Sequence, residues 1–536
     1  MIPLHVHSFY SFLKGTVGPQ KLIDRAAELN LPALAITDTN GMYGVIKFAK
    51  YANEKKIKPV IGTMITEPEN ENDYVLLLAK NNDGYKDICK IITARKLNDD
   101  FSIYKLIKGD LPNLFIISPS LKVAETINSK NDFYIELINS NKYKDANRKL
   151  IEFAEKNGKK FVATNPVYFL EKNDFEVHKT VSAIRLNTNI DNLEEDDLVD
   201  EQFYFDDVKT VGQRWKRLPQ ALKASEYIAK NCNVNLKLNE YKFPVFNLPE
   251  GKNADSYLWN LAFDGLKNRY DTITEKINTR LKYELSVIHD MNFSNYFLIV
   301  WDIVREAKRR GMMIIGRGSA ANSLVAYSLG LTQVDPIEHN LYFERFLNKA
   351  RSSPPDVDID FSWKERDEII KYIFEKYGYE RVAMICTTVT FRARSAFREV
   401  AKAFGFTNAE ISKFSRKIPW TDAKNLPNLS KLFPEAKSLG FDREPWKTVV
   451  DIASRIARFP RHLSIHPGGI VITPTKITDY VALEYAKNKG LGLIITQPDM
   501  YSIEDLGLVK IDILSQRSLG VLRDTMESIN KRSSTD

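Results

Sequence analysis

The sequence contains little that would tie it to a secreted or membrane-bound protein. Its three cysteines, Cys89, Cys232 and Cys386, lie too far apart for a disulfide framework, a metal knuckle or a redox motif. No apolar run approaches the roughly 18 residues that span a membrane. The N-terminus also lacks the basic start and apolar stretch of a signal peptide. We therefore expect a cytoplasmic protein without membrane contact.

Length and charge set the next bounds. The chain has 536 residues, whereas single hydrophobic cores stop growing at about 250–300 residues. We therefore expect about three or four domains. Lysine and arginine exceed aspartate and glutamate by 77 − 69 = 8. This mild excess fits a nucleic-acid partner and a solvated lysine-rich surface equally well.

The first part of the chain, residues 1–170, alternates short apolar runs with amphipathic helical patterns. This βα alternation predicts a parallel sheet or a barrel. Two prolines and a glycine at 243–253 mark a domain boundary. Residues 364–465 are predicted to be mostly helical and are basic. The predicted buried strands are PALAIT, KPVIGTMI, DYVLLLA, LFIIS, FYIELI and KFVATN.

Three aspartates alternate in PPDVDIDF, residues 354–361. On a strand, alternate side chains share a face, so Asp356, Asp358 and Asp360 would point the same way. Three carboxylates on one face repel each other and suit Mg²⁺, which prefers carboxylate oxygens and substrate phosphates. Two such metals can support nucleotidyl transfer. The alternative is an exposed edge strand with a solvated acidic face.

A glycine turn precedes this segment. Gly316, Arg317, Gly318 and Ser319 follow an apolar run and precede a helix that we predict to start near Ala320. The glycines would let the backbone approach a ligand, and the helix N-terminus would offer free N–H groups to an anion. Ser319 would cap the helix and Arg317 would add a charged donor. The alternative is a purely structural strand–helix turn.

Two further pairs carry potential chemistry. In GLVKIDIL, residues 507–514, Lys510 and Asp512 share a strand face. They would serve as a phosphate contact and a metal ligand, or as a structural salt bridge. His5 and His7 share a face in the same way and could bind a metal with Asp38 as a third ligand. Two partly buried histidines are an equally good interpretation.

Two basic clusters complete the candidate residues. Arg394 and Arg398 are one helical turn apart, with Arg392 close by. The second cluster consists of Arg455, Arg458, Arg461 and His462. Either cluster could neutralise nucleic-acid phosphates, and either could be a solvated helix face.

Taken in order, these motifs resemble the alpha subunits of bacterial DNA polymerase III, the C-family replicative polymerases. The resemblance covers essentially the whole chain. It rests on ALAITDTN, YFLIVWDIVREAKRRG, GRGSAANSLVAYSLGLTQVDPIEHNLYFERFLN, PPDVDIDF, HPGGIVITPTKITDY and ITQPDMYSIEDLGLVKIDIL.

The resemblance implies an α/β multidomain protein. A polymerase-and-histidinol-phosphatase (PHP) type β/α barrel would be followed by a mixed α/β polymerase palm with an inserted helical thumb. The implied ranges are 1–240 for the PHP domain, 241–387 and 466–520 for the two parts of the palm, 388–465 for the thumb, and 521–536 for the truncated start of the fingers.

The resemblance also implies roles for single residues. Asp356, Asp358 and Asp512 match the catalytic aspartates that hold two Mg²⁺ ions, and Asp360 lies behind them. The turn residues Arg317, Gly318 and Ser319 would bind the incoming triphosphate, and Lys510 would contact a phosphate. The expected partners are primer–template DNA, the four dNTPs and other replisome subunits. Arg392, Arg394, Arg398 and Arg458 are the expected DNA contacts.

Two departures from the family pattern stand out. Of the PHP metal ligands, only His5, His7, Asp38 and Glu136 remain, so we expect a degenerate metal site without phosphoesterase activity. Other ligand positions are occupied by Lys14, Thr39, Met64, Pro166 and Tyr168. The chain also stops soon after the third aspartate, without the family's fingers, clamp-binding segment or OB-fold. The alternative function is therefore a poorly active fragment that binds DNA or a partner.

Overall fold

Two β-sheets from different parts of the chain organise the fold. The computed structural model describes residues 1–349, 357–486 and 493–533. Among the described residues, no helix is both long and apolar enough to cross a membrane. Each sheet carries a separate group of candidate residues. A helical insertion connects two strands of the second sheet.

The first sheet has the strand order β1-β2-β3-β4-β5-β6. Strand β3 is antiparallel to both of its neighbours, and the remaining pairs are parallel. Of the predicted alternatives, a parallel sheet or a barrel, the parallel pairing therefore does not extend to β3. Only residues 67–73 connect β2 to β3, and a parallel crossover takes a dozen or more residues. The strands are β1 (Ala33–Ile36), β2 (Lys58–Thr66), β3 (Tyr74–Ala79), β4 (Leu114–Ser118), β5 (Asp132–Ile138) and β6 (Lys160–Thr164).

The N-terminal segment joins the two edges of this sheet. Thr37, the residue after β1, donates its backbone N–H to the carbonyl of Val6 at 2.7 Å. On the other side, His7 donates to Val167 at 2.8 Å, and Val167 donates to His5 at 2.9 Å. The segment thus lies between β1 and the chain after β6. This closure confirms the predicted β/α barrel.

Helices surround the barrel, and apolar side chains fill it. Buried residues that alternate along the strands, among them Leu4, Val60, Leu76 and Val162, form one interior cluster with Ile228 of the last helix. The helices of this part are α1 (Pro19–Glu28), α2 (Val45–Glu54), α3 (Asn82–Leu97), α4 (Ile103–Leu106), α5 (Leu121–Thr126), α6 (Lys144–Lys156), α7 (Phe175–Leu186), α8 (Val208–Arg214) and α9 (Pro219–Asn231).

The second sheet has the order β11-β12-β9-β10-β13-β8-β7. It mixes parallel and antiparallel pairs, which confirms the predicted mixed α/β architecture. Its strands are β7 (Ile314–Arg317), β8 (Asp358–Ser362), β9 (Val382–Thr390), β10 (Pro460–Ile472), β11 (Leu483–Tyr485), β12 (Ile494–Asp499) and β13 (Lys510–Gln516). The helices are α10 (Ala254–Lys267), α11 (Glu275–Asp290), α12 (Ser294–Arg309), α13 (Leu324–Ser328) and α14 (Arg366–Tyr377).

A helical insertion, residues 391–459, leaves the sheet at the end of β9 and returns at the start of β10. It lies within the predicted range 388–465 and has its own apolar core. Val177 and Val181 of α7 belong to that core, so a barrel helix packs against the insertion. The insertion contains α15 (Ala393–Ala403), α16 (Asn408–Ser415), α17 (Leu429–Leu432) and α18 (Trp446–Arg455); α19 (Met500–Asp505) and α20 (Arg517–Ser533) follow later.

The barrel also packs directly on the second sheet. Ala383, Ile385 and Val471 of the second sheet join the same hydrophobic cluster as the outward-facing barrel residues. Ion pairs cross this contact, such as the one between Lys47 Nζ and Asp499 Oδ2 at 2.6 Å. The candidate groups of the two sheets therefore belong to one packed structure.

Candidate active site on the second sheet

Three charged residues lie side by side across three strands of the second sheet. The pairing of β13 with β8 places Asp512 opposite Asp358, and the pairing of β8 with β7 places Asp358 opposite Arg317. On the far side, Gly469 of β10 stands opposite Asp512 and brings no side chain. We call Arg317, Asp358 and Asp512 the carboxylate row. The register, which no local pattern encodes, joins residues that are far apart in the sequence.

The apolar residues between the charged ones fix this orientation. Val357, Ile359 and Phe361 are buried in the core of the second sheet, as are Ile511 and Ile513. Because side chains alternate along a strand, Asp358 and Asp512 point to the other face. The predicted division of both strands into an apolar and a charged face is thus confirmed.

Asp512 has an unmatched oxygen. Its Oδ2 accepts a hydrogen bond from Lys510 Nζ at 2.6 Å, so the two side chains share a face as predicted. Its Oδ1 is buried and has no hydrogen-bond partner among the residues that the structure describes. A buried carboxylate oxygen without a donor is costly, and native proteins contain few such groups. Such an oxygen can accept a further donor or a cation.

Asp360 stands behind the row. Arg317 Nε lies 3.3 Å from Asp360 Oδ1 and 4.0 Å from Asp358 Oδ2. Burial raises the pKa of Asp360, and the charge of Arg317 and a hydrogen bond from Gln516 oppose that rise. Arg317 therefore serves two carboxylates at once, and Asp360 Oδ1 still lacks a well-directed hydrogen bond.

His466 is a neighbour that the sequence analysis did not single out. Its Nδ1 lies 3.8 Å from Asp512 Oδ1. The same nitrogen accepts the backbone N–H groups of Gly468 at 3.3 Å and Gly469 at 2.7 Å. Because Nδ1 is an acceptor here, it carries no proton to share with Asp512. In the sequence, only the HPGG segment points to His466. The two glycines of that segment bring their backbone N–H groups within hydrogen-bonding distance of His466 Nδ1.

The glycine turn differs from its prediction in where the helix begins and which residue caps it. The helix begins at Leu324, not near Ala320, because residues Gly318–Asn322 form a 3-10 turn first. Ser323 is the cap, accepting from the N–H of Ala326, so the predicted capping by Ser319 was wrong. Gly318 has φ 73°, a conformation that glycine adopts without strain.

A buried carboxylate occupies the N-terminus of this helix. Glu284 of α11 accepts the N–H groups of Leu324 at 3.0 Å and Val325 at 3.1 Å. Arg280 donates to the same carboxylate at 2.7 Å. The first N–H groups of α13 are thus taken by the protein, so the predicted anion site at that helix end is wrong. Arg317 and the turn backbone remain as candidate phosphate contacts.

The first predicted catalytic residue, Asp356, lies outside the described residues. Within the described ranges, no three histidine, cysteine, aspartate or glutamate side chains come together at metal-binding distance. Of the three predicted catalytic aspartates, the described structure shows two, Asp358 and Asp512, and strand register brings these two together. The preceding Asp356 is two residues before Asp358 on the chain.

The four predicted DNA-contacting arginines cluster on the insertion. Arg394 donates to the carbonyl of Ile418 at 2.6 Å, and Arg398 donates to Ser415 Oγ at 3.1 Å. Arg458 pairs with Asp422 at 2.7 Å. Arg394 and Arg398 thus hold the loop after α16, whereas Arg392 and Arg458 are more than half exposed.

The histidine cluster lies in the barrel and is closed on itself. His5 Nε2 and His7 Nε2 share a hydrogen bond at 2.9 Å, and His5 Nδ1 lies 2.8 Å from Glu136 Oε1. Tyr74 and Thr164 donate to the same glutamate at 2.8 and 2.7 Å. Burial raises the pKa of Glu136, but its pKa is held below its ordinary value by His5 and these hydrogen bonds. Burial lowers the pKa of His7.

Asp38 does not join the two imidazoles as a third ligand. It accepts from the backbone N–H and hydroxyl of Ser8, both at 2.7 Å, and from Ser11 Oγ at 2.8 Å. Burial raises the pKa of Asp38 to about 6. The candidate metal ligands of the barrel are therefore all engaged in hydrogen bonds within the protein.

Two family models match the chain. Residues 3–159 match the PHP domain, and residues 256–515 match the bacterial DNA polymerase III alpha NTPase domain. The first covers barrel strands β1 to β5, and the second covers all three residues of the carboxylate row. The chain belongs to the bacterial DNA polymerase III alpha family. The resemblance inferred from the motifs is thus confirmed.

Relatives of this family align with almost the whole chain. The error-prone DNA polymerase of Symbiobacterium thermophilum is 34% identical over 98% of the chain and 52% of its own length. The DNA polymerase III subunit alpha of Bacillus subtilis is 34% identical over 99% of the chain and 49% of its own length. The corresponding subunit of Escherichia coli K12 is 32% identical, with the same shares. The chain spans about half the length of these relatives.

Proposed function

We propose that the chain catalyses template-directed addition of dNTPs to a primer 3′-hydroxyl at the carboxylate row. The observation that carries this proposal is the register of Asp358 and Asp512 on adjacent parallel strands, next to Arg317. Two carboxylates and a phosphate-binding cation in one row suit phosphoryl transfer, in which catalysis is mainly positioning and charge stabilisation.

The row fits Mg²⁺. Asp512 Oδ1 is a buried carboxylate oxygen without a donor, and hard cations such as Mg²⁺ take oxygen ligands. Asp356, Asp358 and Asp512 would hold two ions. Bound Mg²⁺ supplies activation of the primer hydroxyl and neutralisation of the triphosphate charge.

The cations of the site have partners that a substrate would replace. Lys510 is paired with Asp512, and Arg317 lies beside Asp358 and Asp360. A cation bound to the carboxylates would weaken these pairs and leave Lys510 and Arg317 for phosphate oxygens. Gly318 brings the turn backbone close, since a Cβ there would stand 3.5 Å from Asp358 Oδ2. Ser319 completes this proposed triphosphate contact.

The wider assignment follows from the same proposal. Primer–template DNA would contact the insertion through Arg392, Arg394, Arg398 and Arg458, and other replisome subunits would be partners in the cytoplasm. The barrel would have no phosphoesterase activity, because its remaining ligands hydrogen-bond to one another or to serine residues. Stoichiometric zinc or manganese bound at His5 and His7 would contradict that assignment.

Primer extension tests the proposal directly. We expect Asp512→Asn and Asp356→Asn to lower extension with Mg²⁺ by at least about 1,000-fold, because each removes a ligand for ions that supply several kcal/mol. Asp367→Asn is the matched control, since Asp367 is an exposed aspartate of the same domain whose ion pair in the described structure is with Arg366. Its extension should equal that of the unaltered chain.

A second measurement separates the possible failures. Mn²⁺ should raise the melting temperature of the unaltered chain and of Asp367→Asn, but not that of Asp512→Asn. Extension that survives in Asp512→Asn would refute the catalytic assignment. Metal and DNA binding without extension by any variant would replace the polymerase proposal by that of a binding fragment.

A further inference from the structure

The helical insertion exposes a single aromatic side chain in an unusual way. Trp420, in the loop after α16, is 89% exposed, the largest exposure among the exposed large apolar residues of the described chain. Tryptophan carries a large apolar surface that proteins usually bury at least in part. Isolated exposed apolar residues are common, so the surroundings decide whether Trp420 has a partner.

The loop that carries Trp420 is held in place on both sides. The carbonyl of Ile418 accepts from Arg394 at 2.6 Å, and the carbonyl of Thr421 accepts from the N–H of Ala393 at 3.2 Å. Ile418 and Ala423 are fully buried in the core of the insertion. The indole is therefore presented to solvent by an anchored loop, and its exposure is not that of a frayed chain end.

Cations dominate the loop and the residues that hold it. The loop itself carries Arg416 and Lys417, and Lys424 follows in the next 3-10 turn, all three exposed. Arg392 and Arg394 begin α15, and Arg458 reaches Asp422. Together these are six cations against the single acid Asp422, a local balance of 6 − 1 = +5. An exposed indole within such a group is the arrangement that binds nucleic acid, with the ring for a base and the cations for phosphates.

We propose that Trp420 is a stacking platform for an unpaired DNA base, and that the surrounding cations hold the single strand on which that base lies. In a duplex both faces of each internal base are already stacked, so away from the duplex ends the indole can stack only on an unpaired base. In the proposed polymerase this single strand is the template. Only this identification of the strand rests on the proposed function.

Binding of a labelled 12-nucleotide single strand and of the matching duplex tests the proposal by fluorescence anisotropy. We expect Trp420→Ala to weaken binding of the single strand by about 10-fold, within the range measured for base stacking. Trp420→Phe should recover most of the affinity, because phenylalanine also stacks. Binding of the duplex should change by less than about twofold, since its free base faces are confined to its two ends.

Trp259→Ala is the matched control, because Trp259 of α10 is 38% exposed and lies outside the insertion. The salt dependence of binding should stay the same in Trp420→Ala and become shallower in Arg392→Ala, since only the arginine neutralises a phosphate. An equal loss on single strand and duplex, or no loss on either, would overturn the proposal. Intact single-strand stacking with no primer extension would count against the polymerase proposal only.

Discussion

The barrel and the second sheet each gather acidic and basic side chains, but in opposite ways. In the histidine cluster, His5, His7 and Glu136 are buried and bonded to one another and to hydroxyl groups. In the carboxylate row, Asp512 keeps a buried oxygen to which no residue in the described ranges donates a hydrogen bond. Both groups lie on sheets with ordinary apolar cores. The difference therefore lies in whether the polar atoms are satisfied within the protein.

This difference separates a structural network from a binding site. Buried polar atoms that satisfy each other stabilise the fold, and breaking one contact leaves the others unpaired. Buried atoms that stay unpaired lower stability until a ligand binds, which native proteins tolerate at functional sites. The barrel cluster should thus matter for stability and the carboxylate row for activity.

Removal of Glu136 should give the largest effect on stability. Glu136→Ala leaves His5, Tyr74 and Thr164 without their buried acceptor, and loss of one member of a buried ionic network costs about 3–5 kcal/mol. We expect the free energy of unfolding, measured by urea denaturation, to fall by that amount. Primer extension at a permissive temperature should be unchanged.

Asp512→Asn should show the reverse result. Its free energy of unfolding should stay within about 1 kcal/mol of the unaltered chain, because one of the two carboxylate oxygens has no bond to lose. If Asp512→Asn were as destabilising as Glu136→Ala, the contrast between a satisfied and an unsatisfied group would fail.

The pH dependence of stability extends the comparison to a third histidine. Burial lowers the pKa of His178 to about 4, although its hydrogen bond to the carbonyl of Lys14 works against that shift. As pH falls below the ordinary value of 6.5, the unfolded chain takes up a proton that the folded chain refuses. The stability present above pH 6.5 is therefore lost between pH 6.5 and pH 4, and amounts to about 2 kcal/mol from pH 7 to pH 5.

Urea denaturation at pH 7 and pH 5 measures this loss. Asp38 contributes in the opposite direction, because its raised pKa favours the folded state at low pH. A comparison with His178→Gln removes that background, since Asp38 is present in both proteins. The variant should lose about 2 kcal/mol less than the unaltered chain over the same pH change. An identical pH response would mean that His178 accepts a proton in the folded state.

The smallest expected effect concerns the glycine turn. Gly318→Ala places a side chain at φ 73°, which costs about 1 kcal/mol in backbone strain. Gly311→Ala is the matched control, with φ 72° and open space around the added Cβ. Both variants should lose about 1 kcal/mol of unfolding free energy. Only Gly318→Ala should raise the KM for dNTPs, because only Gly318 adjoins Asp358.

Local patterns predicted the faces of the strands well. The alternation of aspartate with apolar residues in β8, and of Lys510 and Asp512 with apolar residues in β13, correctly gave one charged and one buried face. The same patterns failed where a distant group intervenes. Glu284, far away in the sequence, takes the N–H groups of α13, and Ser323 replaces Ser319 as its cap. No spacing within the glycine turn indicates either contact.

The sequence by itself determined the family, the alternation of strands and helices, and which residue types could hold a metal or a phosphate. Those features depend on neighbours along the chain, whose periodicity is set by helix and strand geometry. Only the tertiary structure decided which groups meet. It placed Asp358 opposite Asp512, closed the barrel through the segment around Val6, and left Trp420 exposed. Strand register and packing join residues that are hundreds of positions apart, and no local pattern records that pairing.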